Sequence, residues 1–281
     1  LANPKAFHWI SKKKKYTGNV RPGRFKIPKG WNTNQLVNKL RSGEQDPLML
    51  IFNNIDSFDE LAGKTARYLE SDSVTLAQAF LNRALMMELG FRPETYPAMF
   101  IPNTYEVYWT TSPENFIRRM HEEYQRFWNA ERKAKAEAQG LNPVEAATLA
   151  SIVQKETAKS DEMPRVAGVY LNRLKRSMPL QADPTVKFAL ADTSIRRITK
   201  DMLNIDSPYN TYRIKGLPPG PVCFPEISAL EAVLNAEKHE YLYMCAKEDF
   251  SGYHRFASNL VQHNRNAARY QKALNDRKIW R

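Results

Sequence analysis

The segment Asn142-Pro-Val-Glu-Ala-Ala-Thr-Leu-Ala-Ser-Ile-Val-Gln-Lys-Glu-Thr157 constrains the fold more than any other part of the chain. Asn142 carries the side chain of an N-cap, and Pro143 suits the first helical position, where its missing N–H is harmless. Glu145, at the third, can reach back to the cap. A helix is therefore expected from Pro143 onward. At about 100° per residue, Leu149, Ile152 and Val153 form one apolar stripe. Glu156 lies one helical repeat beyond them, so its carboxyl emerges inside that stripe, while Gln154 and Lys155 point to the polar side.

A carboxylate on an apolar face loses hydration. That penalises its charged form and raises its pKa, which is the condition a general acid needs near neutral pH. The competing use of such a group is an ion pair. Arg173 is the candidate partner, because it falls on the apolar face of the next expected helix by the same arithmetic from Val166, Val169 and Tyr170.

The remaining pattern is α+β. Near the N-terminus an extended stretch around Arg24 to Pro28 is followed by a short helix capped by Asn32 or Thr33 and closed by Ser42-Gly43. Leu48 to Phe52 then reads as a buried strand. Helices are expected from Ser57 to Leu69, from Thr75 to Leu89, and as one long element from Ser112 to Gly140. Aromatic residues crowd Phe100 to Trp109, either as core or as a sugar-stacking wall. Beyond Pro179 the chain reads as irregular until a helix at Ser228–Glu237, strands at Tyr241–Cys245 and Tyr253–Phe256, and a closing helix.

Composition narrows the function. The chain has 42 Lys and Arg against 30 Asp and Glu over 281 residues, a formal charge of +12 that attracts polyanions as a class. The runs Lys12-Lys13-Lys14-Lys15, Arg132-Lys133-Ala134-Lys135 and Arg196-Arg197 lack the interleaved aromatics and glycines of a single-strand binding surface and read as solvated faces. Nucleic acid is not expected as a partner. The five histidines are scattered, and Cys223 and Cys245 have no metal-type spacing; no nucleotide-binding glycine motif and no serine-nucleophile elbow occurs. Neither metal nor cofactor is expected.

Three motifs carry a resemblance: Leu149-Ala-Ser-Ile-Val-Gln-Lys-Glu-Thr157, Val169-Tyr-Leu-Asn-Arg-Leu174 and Leu180-Gln-Ala-Asp-Pro-Thr-Val186. Ser207-Pro-Tyr-Asn-Thr-Tyr212, Gly216-Leu-Pro-Pro-Gly220 and Tyr241-Leu-Tyr243 continue it in order. Together they resemble the YceG-like family of endolytic murein transglycosylases, from about Phe100 to the C-terminus and more weakly before it. The resemblance implies a LysM-like subdomain at residues 1–55 and a mixed helical/β catalytic domain at 56–281. It implies a lyase that cleaves the β-1,4 bond between N-acetylmuramic acid and N-acetylglucosamine in peptidoglycan glycan strands, leaving 1,6-anhydro ends, with Glu156 as sole acid/base. Many relatives carry a second Glu where this chain has Gln154.

By motif position, Thr157, Asn172, Arg173, Gln181, Asp183, Tyr209, Asn210, Thr211 and Tyr212 are candidate substrate-binding residues; Arg173 and Asp183 equally suit a scaffold role. The resemblance further implies a single-pass inner-membrane anchor ahead of residue 1, a periplasmic catalytic part, and partners in cell-wall synthesis. The alternative from another class is a non-catalytic module that binds peptidoglycan or another polyanion through the basic surface.

Overall fold

A computed structural model of the chain describes residues 3–192, 195 and 198–277, so the Arg196-Arg197 pair lies outside the described residues. The architecture is α+β, mostly helical, with two small two-stranded antiparallel sheets. The chain forms two compact units. The first comprises residues 1–52, 58–81 and 103–118; the second comprises 53–57, 82–102 and 119–281.

The first unit holds α1 (Pro4–Lys13), α2 (Thr33–Ser42), β1 (Leu48–Phe52), α3 (Phe58–Thr65), α4 (Ser73–Phe80) and β2 (Asn103–Val107). Asn32 caps α2 in a reciprocal box with Gln35, and Gly43 closes it in the left-handed region at φ +70°, where a side chain would be strained. The stretch from Arg24 to Pro28 is irregular and not a strand. The strand partner of β1 is instead β2, in the register Leu48 opposite Val107 and Phe52 opposite Asn103. Only Leu48, Leu50 and Phe52 of β1 are buried; Met49 and Ile51 face outward, as one-sided coverage of a two-stranded sheet requires.

The expected helix from Thr75 to Leu89 is two helices, because Asn82 interrupts it and caps α5 (Arg83–Glu88) by accepting the Leu85 N–H. The long helix expected up to Gly140 breaks for the same reason. Asn129 ends α6 (Pro113–Phe127) and caps α7 (Ala130–Ala138) through the Arg132 N–H. Within Phe100 to Trp109, Phe100 and Tyr105 are core residues and Tyr108 is half exposed.

The second unit is organised around α8 (Pro143–Glu156), which packs on α9 (Met163–Lys175), α10 (Asp183–Leu190) and α11 (Ile227–Leu234). The Asn142–Glu145 capping box forms as expected. A single apolar stripe is too narrow a description, however: all eight residues from Ala146 to Val153 are buried, so α8 is surrounded by protein through its middle turns. The helix α10 was not expected; Pro184 in its first turn helps start it in a stretch that reads as irregular. The hairpin of β3 (Tyr243–Ala246) and β4 (His254–Ala257) packs on α12 (Leu260–Asp276).

The loop from Gly216 to Pro221 is tied down by close approach. A Cβ placed on Gly220 would stand 1.8 Å from the Glu94 carbonyl oxygen, so the loop backbone must move if any side chain is added. Gly220→Ala is expected to cost about 2 kcal/mol, read as a lowered urea or thermal midpoint.

Candidate active site

Glu156 is the last residue of α8, where that helix emerges into a cavity of about 750 Å³. Asp183, Lys187 and Phe188 of α10 line the same cavity, together with Asp56, Lys155 and Val222. Lys155 is turned aside into an ion pair with Asp56 at 2.5 Å. Tyr170 of α9 and His254 of β4 both act electrostatically on the Glu156 carboxyl, and Glu156 Oε2 is buried with no hydrogen-bond partner among the described residues.

Burial is the dominant influence and holds the Glu156 carboxyl above the usual glutamate range. His254, the nearby Tyr170 hydroxyl and Lys187 oppose it, and the negative charge of Asp183 reinforces it. Tyr170 is pushed well above the ordinary tyrosine range by its own burial and by the neighbouring carboxylate, so its phenol keeps its proton. The arrangement places a glutamate with one buried, unpartnered carboxyl oxygen at the edge of a cavity, where a raised pKa suits it to giving and retrieving one proton.

Arg173 does not neutralise Glu156. Its guanidinium donates to the carbonyl oxygens of Leu242 at 2.6 Å, Leu180 at 2.9 Å and Pro179 at 3.2 Å, and to Gln181 Oε1 at 3.2 Å. It also lies over the Tyr243 ring at 5.2 Å. The buried cation thus stitches α9 to the segment before α10 and to the residue preceding β3.

The other sequence candidates fall into two groups. Asp183 reaches the cavity and accepts the Tyr212 hydroxyl proton at 2.6 Å, which, after burial, helps push the Tyr212 phenol upward. Tyr209 packs against Phe188, ring centroids 4.6 Å apart, and burial pushes its phenol up to about 12. The remaining side chains bond to the protein. Asn172 Nδ2 donates to the carbonyls of His239 and Tyr241. Asn210, fully buried, donates to Leu203 and Ile205. Thr211 Oγ1 accepts the Ala182 N–H at 3.0 Å and sits 2.8 Å from Thr185 Oγ1. Gln181, at φ +51°, accepts Arg173 through Oε1.

Thr157 opens a network that spacing does not reveal. Its hydroxyl donates to Glu162 Oε2, which also faces His254 Nδ1 at 2.8 Å, while Glu162 Oε1 accepts the His254 N–H at 2.7 Å. Glu162 is buried, so both its oxygens are committed in a site that water scarcely enters. A gap of 92 residues separates it from His254, and no local motif could have joined them. Tyr170 did leave a signal: a tyrosine on an apolar helix face has a hydroxyl that must find a partner.

Gln154 is half-buried and accepts the Glu226 N–H at 2.7 Å, which fixes the residue preceding α11; it does not lie on a wet face as its helical angle suggests. Gln154→Ala should lower stability by about 1 kcal/mol, whereas Gln154→Glu keeps the acceptor and should melt close to the parent.

Comparison with known proteins places this geometry in a family. The model of the YceG-like family matches residues 1–269. An endolytic murein transglycosylase of Bacillus subtilis (strain 168) is 41% identical over 46% of this chain and 35% of its own length. The protein of the same name from Streptococcus pneumoniae (serotype 2, strain D39) is 29% identical over 94% of this chain and 53% of its own. The chain therefore spans about half the length of the one relative and about a third of the other. A crystal structure of a YceG-like protein from Listeria monocytogenes superposes with a TM-score of 0.66 at 28% identity, covering 94% of this chain and 90% of that one. Matched over nearly its whole length by that family model, the chain belongs to the YceG-like family.

Proposed function

We propose that this chain is a peptidoglycan lytic transglycosylase that cuts glycan strands internally at the β-1,4 bond between N-acetylmuramic acid and N-acetylglucosamine. The observation that carries the reading is the Glu156 side chain: half-buried at the edge of a cavity, with one carboxyl oxygen buried and in no ion pair among the described residues. The names of the relatives support the substrate class.

In this reading Glu156 enters the cycle protonated. It gives its proton to the glycosidic oxygen as the bond to muramyl C1 breaks, and the departing N-acetylglucosamine leaves with a 4-hydroxyl. The resulting carboxylate takes the proton of the muramyl 6-hydroxyl while that oxygen bonds to C1. The product is a 1,6-anhydro end, the acid is regenerated, and water takes no part. One carboxyl suffices, unlike the paired carboxylates of most glycoside hydrolases, and no cofactor is needed.

Thr157, through Glu162 and His254, would hold the end of α8 in place. Asp183, Tyr209 and Tyr212 are proposed to contact sugar. Asn172, Arg173, Gln181, Asn210 and Thr211 would set the cavity walls from behind. A functional division after residue 55 is proposed, and it is supported by the lining of the Glu156 cavity, which runs from Asp56 to Val222. The first 55 residues are proposed as the LysM-like module, drawing their second strand from residues 103–107. A membrane anchor ahead of residue 1, a periplasmic setting and cell-wall synthesis partners follow as proposals from family membership; among the described residues no helix is long and apolar enough to cross a membrane.

The test is digestion of intact glycan strands in ¹⁸O-labelled water. Anhydro-muramyl ends free of label are expected. Labelled reducing ends would make the enzyme a hydrolase, and unchanged strands would favour a binding module.

A further inference from the structure

The positive charge is not spread over the molecule. Residues 1–43 hold eleven lysines and arginines and no aspartate or glutamate, while the whole chain holds 42 basic and 30 acidic residues, so all but one unit of the +12 excess comes from this segment. Of these eleven cations, only Lys39 forms an ion pair among the described residues, with Asp46.

The helix α1 arranges part of this charge around an exposed indole. Phe7 and Ile10 are half-buried and Ser11 is buried, on the side that packs against α2. Lys5, Trp9, Lys12 and Lys13 follow the i, i+4, i+7, i+8 spacing that places side chains on one stripe, and all four are exposed. Trp9 is 63% exposed, with the Lys13 ammonium 5.0 Å above its ring. Val20, Ile27 and Trp31 of the same acid-free segment are exposed as well.

We propose that α1 and the residues after it form a docking surface for an anionic phospholipid bilayer. Charge selects the polyanion; Trp9 selects among polyanions. An indole flanked by lysines fits the boundary between headgroups and acyl chains, where the ring meets apolar matter and the ammonium groups reach phosphates. A soluble polyanion satisfies the lysines and leaves Trp9 in water. The surface lies on residues that contribute nothing to the Glu156 cavity, so this inference is independent of the catalytic reading.

The test uses the whole chain with phosphatidylglycerol–phosphatidylcholine vesicles beside pure phosphatidylcholine vesicles, by co-sedimentation and by quenching of tryptophan with acyl-brominated lipid. Binding to the anionic vesicles alone is expected, weakening as salt rises. Replacing Lys12, Lys13 and Lys15 together by Gln should lower the partition coefficient roughly a hundredfold, each lysine near the surface counting for about a factor of five. Quenching should fall clearly in Trp9→Phe, a variant of one exposed side chain that also covers the case in which the triple variant folds poorly. Equal binding to neutral vesicles, binding without acyl-chain quenching, quenching undiminished in Trp9→Phe, or capture by polyphosphate but not by vesicles would each overturn the proposal.

Discussion

Glu156→Gln is expected to lower the rate of glycan cleavage by about 10²–10⁴-fold, the usual contribution of a positioned general acid or base, and here at the upper end because one group serves both proton transfers. Substrate binding should change little, since Gln keeps the shape of the side chain. The same variant should be more stable than the parent at neutral pH. Burial raises the native pKa of Glu156, so the folded chain keeps its proton over a range in which the unfolded chain has lost it. Stability therefore falls as pH rises from the ordinary value of 4.5 to the native one, and the full penalty is present above both. Gln carries no such penalty. Its advantage should appear as a higher melting temperature near neutrality and disappear below pH 4.5. A variant that is inactive and also stabilised points to a group selected for chemistry against the interest of the fold.

Arg173→Lys is expected to lower stability by about 3 kcal/mol, or roughly 6–12 °C in melting temperature for a unit of this size. The reason is geometric. Three backbone carbonyls and one side-chain amide converge on the planar fork, and an ammonium on a flexible stem cannot reach all of them. Any carbonyl left behind is buried without a donor. Because this cation serves the scaffold and not Glu156, the pH profile of cleavage by the folded variant should keep its acid and base limbs where they are. A displaced acid limb would instead mean that the guanidinium sets the charge of the catalytic carboxyl.

Much of this was legible in residues. The cap at Asn142, the proline after it and the apolar run to Val153 specify α8, and the position of Glu156 at its end follows from helical arithmetic. The mixed α+β class also follows from the pattern. What escaped was of two kinds. Asn82 and Asn129 each read as tolerable inside a helix, yet each caps a new one, since a short amide side chain satisfies a freed N–H as readily as it faces solvent. The environment of Glu156 is assembled from α8, α9, α10 and β4, and contacts such as Glu162 with His254 span distances along the chain that no periodicity records. Helical angle also misjudged Gln154, because a helix enclosed by others has no wet side near its core turns.

The claim on which the rest stands is that Glu156 holds a proton where an ordinary glutamate has lost it. Carbon-13 NMR titration of the glutamate side-chain carboxyls, with Glu156→Gln used to assign the resonance, measures this directly. The account predicts a midpoint clearly above 4.5 for that one signal. A midpoint at or below 4.5 would mean an ionised carboxylate with no proton to give, and would contradict it.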